Sequence, residues 1–258
     1  AISLATGEPW LGHFDATRTR GLIISREDDE AEAHRRLVRL AVAKGVDVRE
    51  LRGWLSINAI DPFTFSHEDY VDALRKGIER WKPGVIWMDS LSRVHGCDES
   101  SSQAMAQVIE TWGGLCKEYG ISIVMIHHFN KASADGGGSI LNRMRGSSAL
   151  GAAVRHAIGV TKLEVDDPNF QGGISQLEFE GNLPGTASSF SVGVRDGVVG
   201  LDKAVYMEYR GNARDELVGQ VGRDLRRFLV ASQPDPQTKA NCLAAAKGPI
   251  TTKITVFK

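Results

Sequence analysis

Apolar residues along this chain come in short runs that end abruptly on polar side chains, separated by longer stretches of helical spacing. Gly21-Leu22-Ile23-Ile24-Ser25 closes on Glu27-Asp28-Asp29, Val85-Ile86-Trp87-Met88 on Asp89-Ser90, and Ile121-Ser122-Ile123-Val124-Met125-Ile126 on His127-His128. A buried parallel strand delivers functional side chains to the edge of a sheet in this way. Trp54 to Ile57 predicts another strand. Between these runs, Glu30 to Lys44 has Leu37, Leu40 and Ala41 at helical spacing, acids at its start and basic residues later, as the helix dipole favours, and Gly45 ends it. A second helix is predicted from about His67 to Trp81, capped by Ser66 with Asp69 and broken by Pro83-Gly84. A third runs from Gln103 to Tyr119 with Met105, Val108, Ile109 and Trp112 on one face, and Gly120 stops it. Ala1 to Thr6 reads as the tail of a helix capped by Gly7. Strands alternating with helices at this rhythm predict βαβ units, hence an α/β fold with a mostly parallel central sheet flanked by helices.

Beyond His128 the pattern changes. Asn130 to Asn142, with Gly136-Gly137-Gly138, has the composition of a loop. A short helix is expected from Arg145 through Leu150 and a strand from Ala157 to Leu163. Ser175 to Glu180, Ser189 to Val194 and Val205 to Tyr209 predict antiparallel strands, with Arg195-Asp196-Gly197 as a turn, extending the sheet on its C-terminal side. After a break at Gly211-Asn212-Ala213 a helix is expected from Asp215 to Val230, then a hinge at Gln233-Pro234-Asp235-Pro236. The expected division is a core over 1–210 and a C-terminal helical segment over 211–258, which could begin a small winged-helix module.

Composition narrows the function classes. With 258 residues, 42% hydrophobic and 24% charged, disordered and collagen-like classes are excluded. Lys plus Arg is 31 against 32 for Asp plus Glu, so nucleic-acid binding would need a local patch or an assembly. The three cysteines lack C-x-x-C spacing, proposing neither a disulfide framework nor a zinc site; a reducing cytoplasm is the expected location. No apolar run approaches the roughly 20 residues needed to cross a bilayer, so no membrane partner is expected. The N-terminus lacks the basic region and apolar core of a signal peptide.

Two buried strands tipped with acids and imidazoles suggest a nucleotide-handling ATPase core. Asp89 is placed to hold the magnesium of a nucleotide through its water shell; the plainer alternative is a carboxylate capping the next turn. Glu27 could take a proton from the water that attacks a γ-phosphate, although Asp28, Asp29 and Glu30 share its neighbourhood and any of them would serve the helix dipole. His127 and His128, adjacent at a strand end, point to opposite sides, so one at most faces the cleft, where a donor could sense the γ-phosphate. Zinc would need further ligands, and neither a nearby cysteine nor a His-Glu-x-x-His pattern supplies them. Lys131, Arg143, Arg145 and Arg155 form either a solvated basic face or the source of an arginine that reaches a neighbouring subunit's phosphate.

Glu27-Asp28-Asp29 with His34-Arg35-Arg36-Leu37, then Val85 to Leu91, His127-His128-Phe129-Asn130-Lys131, and Arg145-Gly146-Ser147-Ser148-Ala149-Leu150 ending in Arg155 occur in the order seen in RecA-like P-loop ATPases of the RepA replicative-helicase type. The resemblance covers roughly residues 1 to 210, and the His-His-x-x-Lys and Arg-Gly-Ser-Ser segments are its more specific part. It implies a RecA-like core, a ring that is typically a homohexamer, and ATP hydrolysis with Mg²⁺ driving movement on single-stranded DNA in plasmid or phage replication. By the same resemblance Glu27 is the catalytic carboxylate, Asp89 the magnesium-associated acid, and His128 together with His127 the γ-phosphate sensor. Arg155 is the finger offered to the next subunit, with Arg145 a second candidate; Lys131 and Arg145 are expected near the nucleotide, and the Gly-rich loop after Lys131 faces DNA.

The sequence departs from that pattern in one respect: it holds no Gly-x-x-x-x-Gly-Lys-[Ser/Thr] loop. In relatives that loop comes well before the position of Gly7, so the chain is expected to be truncated, with Ile2 to Ala5 ending the helix that follows the loop. Without the loop's N–H cradle and Lys, these residues alone are expected to bind ATP poorly. The competing expectations are a RecA-like recombination or repair ATPase, and a P-loop-less DNA-binding or scaffold subunit.

Overall fold

The computed structural model describes residues 1–59, 63–98, 101–129, 139–144, 148–163, 170, 173–181, 188–199 and 202–211. Lys131, Arg145, the glycines at 136–138 and the helix and hinge expected after Gly211 lie outside these residues. The chain divides into two compact units, one of Ala1–Ala157 with Gly197–Ala204, the other of Ile158–Asp196 with Val205–Lys258.

The first unit is built on a parallel sheet. Strands β1 (Gly21–Ser25), β2 (Leu55–Asn58), β3 (Val85–Asp89) and β4 (Ser122–Met125) lie in the order β2-β1-β3-β4. Every neighbouring pair is parallel, with Ser25 opposite Asp89 and Met88 opposite Met125. This register brings the C-terminal ends of β1, β3 and β4 level, because parallel strands all deliver their chain ends to one side. Helices α1 (Ile2–Thr6), α2 (Glu30–Ala43), α3 (Glu68–Trp81), α4 (Leu91–Val94), α5 (Ser102–Tyr119), α6 (Ile140–Arg143) and α7 (Ser148–Ala153) complete the unit, with a 3-10 turn at Val48–Leu51.

Alternation along β3 separates two apolar clusters. Ile86 and Met88 are fully buried and pack with Ile24 of β1, Val71, Leu74 and Ile78 of α3, Leu91 and Val94 of α4, and Met105, Val108 and Leu115 of α5. Trp87 projects from the opposite face, since successive side chains in a strand alternate. There a Cβ on Gly21 would lie 2.5 Å from the Trp87 ring and 3.0 Å from Leu55, so only glycine lets that ring cross β1. Leu55 in turn packs against the second cluster, made of Ile2 and Ala5 of α1, Ala41 of α2, and Val46 and Leu51. Helices therefore cover both faces of the sheet, as a parallel sheet requires.

The helix boundaries show which local signals operate. Asp29 caps α2, its Oδ1 accepting from the Glu32 N–H at 2.7 Å. Ser101 caps α5, and Gly7 and Gly120 end α1 and α5 in the left-handed conformation. Ser66 does not cap α3. The helix starts at Glu68 with His67 at its N-cap and no side-chain cap, because the Ser66 hydroxyl donates to the His95 carbonyl instead.

In the second unit, β5 (His156–Leu163), β6 (Ile174–Gly181), β7 (Ser188–Val199) and β8 (Asp202–Gly211) follow one another in a four-stranded sheet, three of these strands beginning or ending in the first unit. β6 and β7 pair antiparallel with Leu177 opposite Phe190. Phe179 stacks on Phe190 with ring centroids 5.1 Å apart. The α/β class and the antiparallel strands are thus as the sequence predicts, but the strands form a sheet of their own instead of extending the parallel one, and Arg195-Asp196-Gly197 continues β7 instead of turning. No helix among the described residues is long and apolar enough to cross a membrane.

Candidate active site

Three strand ends and the turns after them meet at the level edge of the parallel sheet. From β1 the chain passes Ser25 and turns into α2, with the Asp28 N–H 3.4 Å from Ser25 Oγ. The Arg26 N–H donates to the Asp89 carbonyl at 2.6 Å, which ties this turn to the end of β3. From β4, the Ile126 N–H donates to the Met88 carbonyl at 3.0 Å and the Ile126 carbonyl accepts from the Leu91 N–H at 2.8 Å. These bonds carry β3 and β4 past their last ladder residues and set His127 and His128 beside the β3–α4 turn. Strand β4 itself stops at Met125, short of the His-His pair that the apolar run seemed to include.

The four acids of the β1–α2 turn are sorted by their partners. Asp29 serves as the α2 cap. Asp28 pairs with Arg36 of α2 at 2.7 Å and is the more buried partner. Glu30 lies in the first turn of the helix. Glu27 turns toward the other strands: the Ser90 hydroxyl donates to its Oε1 at 2.6 Å, and His128 Nε2 lies 3.9 Å from the same oxygen. The structure therefore gathers Glu27, Asp89, Ser90 and His128 at one edge of the sheet. His128 is exposed, with 69% of its side chain accessible, while His127 is half-buried.

Electrostatics distinguish Asp89 from an ordinary cap. Burial pushes its carboxyl above the usual carboxylate value, and the charges of Glu27 and Asp28 push further the same way, against opposing pulls from Arg36 and His128. The folded protein thus binds this proton more tightly than the unfolded chain does. Stability contributed by that proton is fully present below the ordinary value of 3.8 and is lost as pH rises through the higher folded-state value. Asp89→Asn is accordingly expected to raise the Tm of the nucleotide-free protein at neutral pH. The gain should fade as pH is lowered toward the acid side of that window, and thermal melts across pH check it. An Asn variant no more stable than wild type at pH 7 would mean that the acids do not repel one another as placed.

A divalent cation fits this donor set. Magnesium is held by one or two carboxylates, water and substrate phosphates rather than by an all-protein cage. Among the described residues no three His, Cys, Asp or Glu side chains are close enough together to hold a metal ion by themselves. Asp89 offers a hard oxygen donor whose ionised form is disfavoured by its acidic neighbours, so a cation there would relieve the repulsion.

Arg155 is exposed on the bend between α7 and β5. No contact among the described residues joins it to Glu27, Asp89 or His128. Arg143, in contrast, is buried, with its guanidinium 4.7 Å above the Phe129 ring, and Phe129 forms a β-bridge with Met144. Phe129 and Met144, on either side of the segment carrying Lys131, therefore lie next to each other. The roles of Ser90 and Arg143 were not visible in the sequence. A serine after a strand-end aspartate and an arginine in a basic segment have ordinary explanations until their partners are known.

A parallel sheet with helices on both faces, bearing acids and an imidazole at its C-terminal edge, is consistent with a RecA-like core, and open α/β sheets bind their ligands at that edge. The family model described as an AAA domain matches residues 1–134, more than half of the 258. The chain belongs to that family, whose members are ATPases of the AAA and RecA-like kind and bind nucleotide, typically with Mg²⁺.

Proposed function

We propose that this protein is part of a ring-forming, ATP-hydrolysing helicase of the RepA type, typically hexameric, that moves on single-stranded DNA during plasmid or phage replication. The observation that carries the proposal is the meeting of Glu27, Asp89 and His128 at one edge of the sheet, with Glu27 hydrogen-bonded to Ser90 just after β3 and 3.9 Å from His128 beyond the end of β4. The order of the segments from Glu27 to Arg155 supports the helicase type over other ATPases.

In the proposed chemistry Glu27 accepts a proton as water attacks the terminal phosphate, and a carboxylate whose hydrogen bond among the described residues is made through Oε1 suits that task. Asp89 would hold Mg²⁺, which when bound neutralises developing phosphate charge. His128, exposed at the end of the β4 segment, offers an imidazole N–H to a phosphate oxygen; half-buried His127 supports its placement. Lys131 and Arg145 are proposed to lie near the phosphates, and Arg155 to reach a neighbouring subunit. The P-loop motif is not among the 258 residues, so the proposal concerns the reacting end of the nucleotide rather than the main triphosphate cradle.

Strand displacement tests the proposal. The protein as its gene encodes it is expected to release an annealed oligonucleotide from a tailed duplex in an ATP- and Mg²⁺-dependent manner. ATP-dependent coating of DNA and pairing of homologous strands without displacement would favour a recombination or repair ATPase. DNA binding or partner binding indifferent to ATP would favour a scaffold.

A further inference from the structure

Ser90 occupies the N-cap position of α4, where a serine hydroxyl ordinarily accepts a hydrogen bond from a first-turn N–H. It makes no such bond. The side chain is fully buried, and its hydroxyl lies 2.6 Å from Glu27 Oε1 and 3.0 Å from Ser92 Oγ. With Glu27 ionised, the form a base must have, the carboxylate can only accept. The single Ser90 hydrogen therefore goes to Glu27, and Ser92 must donate to Ser90. The result is an ordered chain, Ser92 to Ser90 to Glu27, ending in a charge-assisted bond.

We propose that Ser90, itself oriented by Ser92, is a positioning residue for the general base. It fixes Oε1 of Glu27 and leaves Oε2 to take the proton of the attacking water. The inference rests on Glu27 being that base. Glu27 needs such a tether because it stands on a turn between β1 and α2 with 39% of its side chain exposed, where a carboxylate would otherwise sample several rotamers. His128 does not supply it, since 3.9 Å is beyond hydrogen-bonding range. The Ser90 backbone, continuous with Asp89, is fixed by β3. The tether thus locks the base to the same strand end that would carry the cation, and the relative placement of base and cation becomes a property of β3.

The test is a kinetic and thermal comparison, in the protein as its gene encodes it, of wild type, Ser90→Ala, Ser90→Thr, Glu27→Ala and the Glu27→Ala/Ser90→Ala double variant. Ser90→Ala is expected to lower kcat for ATP by about tenfold to a hundredfold, the scale of a misplaced reacting group, with KM little changed. Ser90→Thr, which keeps the hydroxyl, should restore most of the loss. In the Glu27→Ala background Ser90→Ala should cost nothing further, and the Tm losses of the two single variants should likewise fail to add. Ser92 is exposed, so Ser92→Ala folds even if Ser90→Ala does not, and it should show a smaller loss of the same Glu27-dependent kind. An active wild type whose kcat is insensitive to Ser90→Ala, or falls additively with Glu27→Ala, overturns the proposal; if only Ser92→Ala folds, its insensitivity does so. A wild type with no ATPase activity overturns the assignment of Glu27 and this proposal together.

Discussion

Glu27→Gln is expected to reduce ATP turnover by about 10²–10⁴-fold, the usual contribution of a positioned general base. The amide keeps the size of the carboxylate and an oxygen able to accept the Ser90 hydroxyl, so the cleft should keep its shape. It cannot take a proton from water. Nucleotide binding, read by equilibrium titration, should therefore persist while steady-state turnover collapses. The neighbouring acids provide the internal control. Asp29→Ala removes the α2 cap and should cost about 1 kcal/mol of stability, read by denaturant melts, with little effect on turnover. If Asp29→Ala abolishes hydrolysis and Glu27→Gln spares it, the base has been assigned to the wrong member of the cluster.

That control is informative because the sequence alone could not separate these acids. Period and punctuation gave the strands β1 and β3, the helices α2, α3 and α5, and the parallel pairing, since burial on both faces writes itself as continuous apolar runs; the order β2-β1-β3-β4 was not legible. Asp29 and Ser101 cap where local chemistry says they should. The errors occur where a residue from elsewhere in the chain competes. Ser66 is a plausible cap for α3 until the His95 carbonyl, brought near by the fold, takes its hydroxyl. The apolar run before His127 suggests a strand reaching the histidines, but the ladder ends at Met125. Only single backbone bonds through Ile126 continue the contact with β3 and the start of α4.

The site follows the same rule. Asp89 was legible because a strand end fixes it. Choosing Glu27 required knowing that Arg36 takes Asp28 and that α2 takes Asp29, both consequences of how the helix leaves the turn. The direction of the Ser90 hydroxyl is a tertiary fact, since the local pattern predicts a cap. Asp89 and its neighbours also concentrate repulsion that ordinary folding would avoid. Such a conflict between local stability and placement fits the cation role proposed for Asp89.

Arg155→Ala is expected to lower turnover about 10³–10⁵-fold in the assembled ring, the range for a guanidinium that stabilises phosphoryl-transfer charge. The structure leaves Arg155 exposed after α7 and without a contact to its own chain's Glu27, Asp89 or His128, which suits a residue acting on a neighbour. In the proposed head-to-tail ring each interface would draw its base from one subunit and its finger from the next. Arg155→Ala and Glu27→Ala subunits, each inactive alone, should then complement one another on mixing. With random assembly roughly a quarter of interfaces carry both intact residues, as a heterologous closed ring requires. Turnover in the mixture should rise toward that fraction of wild type, and remixing under conditions that prevent subunit exchange should abolish the gain. Equal inactivity of mixture and single variants, with exchange shown to occur, would leave Arg155 as part of a solvated basic face and return the search for a finger to the Arg145 segment.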